Sequence, residues 1–237
     1  METRTGACEL SDLGPDAYVE WRASELGAVT ERLEYRLILE LIGDVNGLRV
    51  LDVGCGDGKL AVALRRRGAT VVGIDVSPAM IEAARARARN DNSDISFLLA
   101  STDSMPFQPA HFDLAVAVTV LCFVENAVPV FREIARVLRP GGRLVIGELG
   151  RWSTWALARR IRAWLGSRLW QRARFRTARN LRSLAEHAGL VAGPVRGAIY
   201  FPRSALAARL MAPFDAMFGR LTTAGAAFLA LSAGKPQ

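Results

Sequence analysis

Apolar residues in the first third of the chain recur at two different spacings. Val29, Leu33, Leu37 and Leu41 return every fourth position, which predicts one stripe of an amphipathic helix up to Ile42, ended by Asn46-Gly47. Leu48–Val53 is instead an almost unbroken apolar run, followed by a glycine-rich turn and a second helical pattern over Lys59–Arg67. Gly68 stops that helix, Thr70–Ile74 reads as a second buried strand, and Ser77-Pro78 opens an Ala- and Arg-rich helix to about Arg89. Strands are also predicted at Ile95–Leu99, Phe112–Val118 and Arg143–Leu149, with a helix from about Ala127 to Leu138 before Pro140-Gly141-Gly142. Thr177 is a predicted N-cap for a helix carrying Leu181, Leu184, Ala185 and Ala188, and two late strands fall near Val195–Tyr200 and Ala226–Leu231. Continuous apolar strands separated by helices describe an α/β, doubly wound domain whose parallel sheet is covered on both faces.

Composition narrows this picture. The chain has 237 residues and 51% hydrophobic content, enough for a substantial core and incompatible with disorder throughout. Its longest uncharged stretch, Leu221–Gly234, has 14 residues, short of the roughly 20 that cross a bilayer. Glu2, Arg4, Glu9 and Asp12 do not fit a secretory signal, so a cytoplasmic setting is expected. Cys8, Cys55 and Cys122 lack any C-x-x-C or Cys/His spacing, which predicts free thiols and no metal. The net charge of +8 is local: ten arginines and no acid lie between Arg151 and Arg182, and the rest of the chain carries 21 basic and 23 acidic residues.

Candidate chemistry begins where the first strand turns into its helix, at Leu51-Asp52-Val53-Gly54-Cys55-Gly56-Asp57-Gly58. An open parallel sheet binds ligands at such a turn, and glycines let the backbone approach them closely. Asp75 ends the second strand, in position to accept hydrogen bonds from both hydroxyls of a ribose. Dinucleotide sites usually read G-x-G-x-x-G and hold a pyrophosphate at the helix N-terminus. Here the spacing is G-x-G-x-G, and an acidic Asp57 in the loop would repel a pyrophosphate and favour a ligand carrying an ammonium and a sulfonium.

These residues resemble the class I S-adenosylmethionine-dependent methyltransferases, in particular the methyltransferase type 11 and quinone C-methyltransferase-like group. Val50–Gly58 looks like the first motif of that family, Gly73-Ile74-Asp75-Val76-Ser77 like its ribose-binding acid, and Arg136–Gly142 like its turn before strand five. The resemblance implies a seven-stranded Rossmann-like sheet of order 3-2-1-4-5-7-6 with the last strand antiparallel. It implies S-adenosylmethionine as cofactor, with Asp52, Gly54, Cys55, Gly56 and Gly58 at its methionine part and ribose, Asp75 on the ribose diol, and Val76 or Met80 against adenine. Ala100–Phe107 resembles a family stretch whose Asp reads the adenine amino group; Ser101 stands at that position and Asp103 at that of the following Glu, so Ser101 with the Thr102 backbone, or Asp103, takes that role. Tyr18 and Trp21 resemble an N-terminal lid, and Thr119 with Leu121 would face the methionine end and the substrate mouth.

Among acids, Glu148 at the end of the fifth strand is the candidate catalytic group, with pairing to Arg151 or a helix end as the competing reading. His111, His187 and Cys122 are expected to be structural. Four of the five tryptophans, Trp152, Trp155, Trp164 and Trp170, lie among the ten arginines. Leu157, Ile161, Trp164 and Leu165 form a short apolar helical stripe in this segment, with Arg159 and Arg162 away from that stripe. The segment reads as a helix docking on the core, as a substrate lid, or as an element touching an anionic membrane. RNA is disfavoured, since Thr119-Val120-Leu121-Cys122 stands where base-methylating relatives carry an Asn/Asp-Pro-Pro-aromatic motif. The expected organisation is one domain: a helical lid over 1–45, a cofactor core over 46–150, a basic cover over 151–182 and a C-terminal helix and strands over 183–237. The expected activity is methyl transfer to a small or lipid-like acceptor; an RNA methyltransferase and a non-catalytic cofactor-binding module are the alternatives.

Overall fold

The computed structural model of the chain describes residues 20–237. Helix α1 (Glu25–Ile42) is capped by the Ser24 side chain, which accepts from Gly27 N, and is closed by Gly43. Then β1 (Arg49–Val53), α2 (Lys59–Arg66), β2 (Thr70–Asp75), α3 (Pro78–Asn90) and β3 (Ser96–Leu99) form one half of the sheet. The other half consists of β4 (Phe112–Val118), a short 3-10 turn at Leu121–Phe123, α4 (Ala127–Val137) and β5 (Leu138–Leu149). Beyond it come α5 (Thr154–Trp164), α6 (Arg168–Arg172), α7 (Ala178–His187), β6 (Val191–Ala198), α8 (Ala205–Leu221) and β7 (Phe228–Gly234).

The seven strands lie in the order β3-β2-β1-β4-β5-β7-β6. Strands β1 to β5 pair in parallel, and β7 runs antiparallel to both β5 and β6. Alternation along the strands divides the core in two. Val50, Leu114, Val116 and Val145 point to the face covered by α1, α2, α3 and α8, and Leu51, Val53, Ala115, Ala117 and Ile146 to the face covered by α4 and α7. The strand sequence reverses direction between β1 and β4, which opens a crevice at their carboxyl ends.

Local signals account for most boundaries. Ser77 caps α3 with Pro78 at its first position, and Thr177 caps α7 through a full capping box with Asn180. Three strand boundaries differ from the sequence reading by three residues or more. β5 begins at Leu138, because Leu138 pairs with Phe112 ahead of a register irregularity at the Pro-Gly-Gly turn. β6 starts at Val191 and β7 runs on to Gly234, since the two ends pair with each other. Helix α8 is absent from the sequence reading altogether: Pro213 inside it reads as a helix breaker, and the residues it turns to the core, Ala208, Asp215 and Gly219, are small or charged and give no apolar core stripe.

Candidate active site

The crevice between β1 and β4 is shaped first by glycine. Gly54 (φ 68°) and Gly58 (φ 75°) are left-handed, and a Cβ at either would collide with its surroundings. At Gly54 the obstacle is the Val120 side chain, 2.2 Å away; at Gly58 it is Ala84 and Phe97, at 2.9 and 3.0 Å. Glycine at these two positions is therefore required by contacts within the protein: the loop after β4 against that after β1, and α3 with β3 against the start of α2. Gly56 (φ 53°) differs, because a Cβ there would meet nothing within 4 Å. Of the three glycines assigned to the cofactor, Gly56 opens onto free space.

Asp75 secures that opening. Its Oδ2 accepts from Gly56 N at 3.0 Å and its Oδ1 from Ser77 N at 2.9 Å, so the carboxylate ties the glycine loop to the start of α3. Ala100 N donates to Asp75 O at 3.0 Å, bringing the 100–103 segment to the same place. There Ser101 donates to Asp103 Oδ1 at 2.5 Å, Thr102 is buried, and Met80 is buried in the first turn of α3. Val76 is half-buried beside them.

Asp52 is buried next to this loop, and its Oδ2 has no hydrogen-bond partner. Burial pushes its carboxyl up to about 7, reinforced by the negative charges of Asp75 and Asp57. A buried acceptor without a donor is costly unless a ligand completes it. The sequence reading gave that electrostatic role to Asp57, and the structure corrects it. Arg22 Nη1 and Arg87 Nη2 each lie 2.5 Å from Asp57 Oδ2, and Arg87 Nε also donates to its backbone carbonyl. Burial raises the Asp57 carboxyl, but the two arginines outweigh it and hold it below the ordinary range. Asp57 is compensated from inside the protein; Asp52 and Asp75 are the acids left for a cation. Cys55 is buried, and burial drives its thiol upward, so it stays protonated.

The opposite wall is the loop after β4. Thr119 sits at φ 52°, a strained conformation for a β-branched residue. It is held by its own N–H on Gly147 O at 2.7 Å, and Cys122 Sγ donates to Thr119 O at 3.2 Å. Behind it Glu148 is fully buried, with Oε1 accepting from Leu121 N at 2.8 Å and Oε2 unpartnered. Burial pushes its carboxyl up to about 8, against the lowering effect of the Leu121 N–H and the Arg176 charge. Of the two expected partners, Arg151 lies over the Trp152 ring instead, while a helix end is present in short form: Leu121, whose N–H Glu148 accepts, opens the 3-10 turn Leu121–Phe123. Sequence reasoning did not single out Arg176, whose Nη2 donates to Leu121 O at 3.5 Å. His111 stacks near Phe107 and Phe112, and His187 bonds Ser183 in the last turn of α7.

Tyr18 lies outside the described residues. The Trp21 ring meets that of Trp155 edge to face at 6.0 Å. Of the three readings of the basic segment, docking on the core through its apolar stripe is not the one the structure shows. Trp155 and Ala156 are buried, and Arg159 lies 5.4 Å from the Trp155 ring centre and 4.8 Å from that of Trp170. Leu157, Ile161, Trp164 and Leu165, the stripe expected against the core, face outward. Two aromatic faces and the partly buried Glu34 give Arg159 a better inward environment than water does.

The strand order and the glycine loop with its flanking acids define a Rossmann-like methyltransferase fold. Residues 51–146 match the family described as methyltransferase domain. The chain is 43% identical over 125 residues to the methyltransferase GfsG of Streptomyces halstedii, covering 51% of this chain and 43% of that protein. It is 37% identical over 108 residues to a ubiquinone biosynthesis O-methyltransferase of Xylella fastidiosa, covering 45% and 44%. The matches thus span under half the length of either relative. A solved structure from Thermotoga maritima, described as a possible histamine N-methyltransferase, superposes with a TM-score of 0.68 at 22% identity over 93% of this chain and 95% of that one, which is a likeness of fold.

Proposed function

We propose that this protein transfers a methyl group from S-adenosylmethionine to an oxygen of a small, largely apolar or lipid-like molecule. The observation that carries the cofactor half of this reading is the unpartnered, buried Oδ2 of Asp52, adjoining a glycine loop whose Gly56 opens onto free space. An ammonium supplies the donor that Asp52 lacks. Asp75 receives the ribose hydroxyls at its remaining lone pairs, and Met80 with Val76 forms the apolar floor for adenine beside Ser101, Thr102 and Asp103. When bound, the cofactor would supply a methyl carbon on a positively charged sulfur; the bond to the acceptor oxygen would form as the carbon–sulfur bond breaks with its pair left on sulfur, and the acceptor's proton would pass to solvent. What the chain itself contributes is alignment and exclusion of water.

Alignment falls to Thr119; Leu121, expected at the substrate mouth, is fully buried in the core behind it. Glu148, being fully buried, acts here as a positioning residue: through Leu121 N it holds the loop whose Thr119 is strained. The oxygen acceptor is supported by the printed activity of the Xylella fastidiosa relative, and the apolar class by the exposed apolar helix α5 over the same end of the sheet. Contact of the 151–182 segment with an anionic membrane, in a cytoplasmic setting, belongs to this reading; among the described residues no helix is long and apolar enough to cross one.

A radiolabelled-methyl assay on lipid extracts, metabolite pools and RNA, run beside calorimetry with the cofactor, tests the proposal. Label in the organic-soluble fraction is expected. Label confined to RNA would reject the acceptor class, and tight cofactor binding with no label anywhere would favour a non-catalytic module.

A further inference from the structure

Helix α8 presents its apolar side to the outside. Leu206, Leu210, Phe214, Met217, Phe218 and Leu221 are all exposed, up to 75% for Leu221. On a helix of 3.6 residues per turn these six fall within about one third of the circumference, while Ala208, Asp215 and Gly219 face the core. The helix's one acid, Asp215, is turned inward, where it accepts from Ile199 N at 2.9 Å and Tyr200 N at 3.1 Å. Arg209 and Arg220 border the stripe. Helix α5 repeats the arrangement with Leu157, Ile161, Leu165 and Trp164, the last 86% exposed.

The two helices spring from one anchor. Trp155, in the first turn of α5, donates Nε1–H to the carbonyl of Phe201 at 2.7 Å, and Arg203, just before α8, lies 5.3 Å from the same indole ring. An exposed stripe of six large apolar side chains on one helix is rare on a protein with nothing to bind. The surrounding charge selects the occupant. Helices α5 and α8 carry five arginines, Arg159, Arg160, Arg162, Arg209 and Arg220, and one acid, the inward-turned Asp215; Arg220 also pairs with Glu40 at 3.3 Å. A second copy docked through these faces would set arginine against arginine, whereas anionic headgroups complement them and acyl chains accept Leu, Phe and Trp.

We propose that α8, together with α5, is an interfacial anchor that seats this protein on an anionic lipid surface. It deepens the reading above, resting on the lipid-like acceptor for its use but not for its geometry. The test is cosedimentation of the full chain with phosphatidylcholine vesicles, with and without phosphatidylglycerol as one lipid in three. Cofactor calorimetry on every variant reports whether the fold is intact.

Binding is expected on the phosphatidylglycerol vesicles and little on phosphatidylcholine alone. Leu210→Ser with Phe214→Ser should weaken it about tenfold or more, and Arg209→Gln with Arg220→Gln by about fivefold per arginine, with cofactor affinity unchanged. Wild-type protein that stays in the supernatant, or an α8 variant that sediments like wild type, overturns the proposal. So does a dimer in light scattering that Phe214→Ser converts to monomer, since a second copy then covers the face. Vesicle binding as expected without methyl transfer to any apolar acceptor would remove the proposed function and leave the anchor standing.

Discussion

The crevice at β1 and β4 and the outer faces of α5 and α8 use the same kinds of residue in opposite ways. In the crevice, charge is turned inward and left incomplete: Asp52 is buried with an oxygen lacking a donor, and Glu148 repeats the situation across the loop. On the outer helices it is the apolar side chains that lack partners, exposed while Arg159 and Asp215 turn inward. Each region is stable only because the rest of the fold bears the cost. An unfinished polar site asks for a polar ligand, and an unfinished apolar one asks for a surface.

If that contrast is right, substitutions in the crevice should be felt by the fold and the cofactor, and those on the outer faces by neither. The largest effect is expected at Gly54, where alanine brings both a left-handed strain and a collision with Val120. Gly54→Ala should cost roughly 2–4 kcal/mol in a denaturant titration; a cost near zero would mean the two loops do not meet. Next, Asp75→Ala should weaken cofactor binding by roughly 1.5–3 kcal/mol in calorimetry, and an unchanged affinity would remove Asp75 from the site.

Titration sharpens the comparison further. Burial raises the folded-state carboxyls of Asp52 to about 7 and Glu148 to about 8, above their ordinary values of 3.8 and 4.5. Each group is neutral in the folded protein over a range where it ionises in the unfolded chain. Folding stability contributed in this way is present at low pH and is lost as pH rises, between the ordinary value and the raised one. The slope is about 1.4 kcal/mol per pH unit per group. Glu148→Gln should flatten that decline above neutrality, while a slope identical to wild type would show that Glu148 is ionised in the folded state.

Cofactor binding moves the other way, because an ammonium prefers ionised Asp52. Affinity should rise with pH up to about 7, by at most tenfold per unit. Asp52→Asn should abolish the dependence. The smallest effect belongs to the outer face: Trp164→Gln should change stability by less than about 0.5 kcal/mol, since the indole is 86% exposed. A larger loss would show that Trp164 is covered in solution.

What could be read before folding was local. The glycine loop, Asp75, the Ser77 and Thr177 caps and the apolar strands are signals spanning a few residues, and the sheet order came with the family resemblance they support. Asp57 was misread because its partners, Arg22 and Arg87, lie 35 and 30 residues away in the chain. Arg176 beside Leu121 escaped for the same reason.

The outer faces show the limit most clearly. Composition alone revealed that residues 151–182 are rich in arginine and tryptophan, and periodicity found the stripe of α5. Which side of that stripe meets the core is not a property of the segment: it depends on Trp155 finding the Phe201 carbonyl and on Arg159 finding two rings. Local spacing and turn chemistry are written into consecutive residues, so strands, caps and the cofactor loop were determined by the sequence itself. The pairing of buried charges and the facing of amphipathic helices depend on groups that meet only after the sheet has closed, and those the tertiary structure decided.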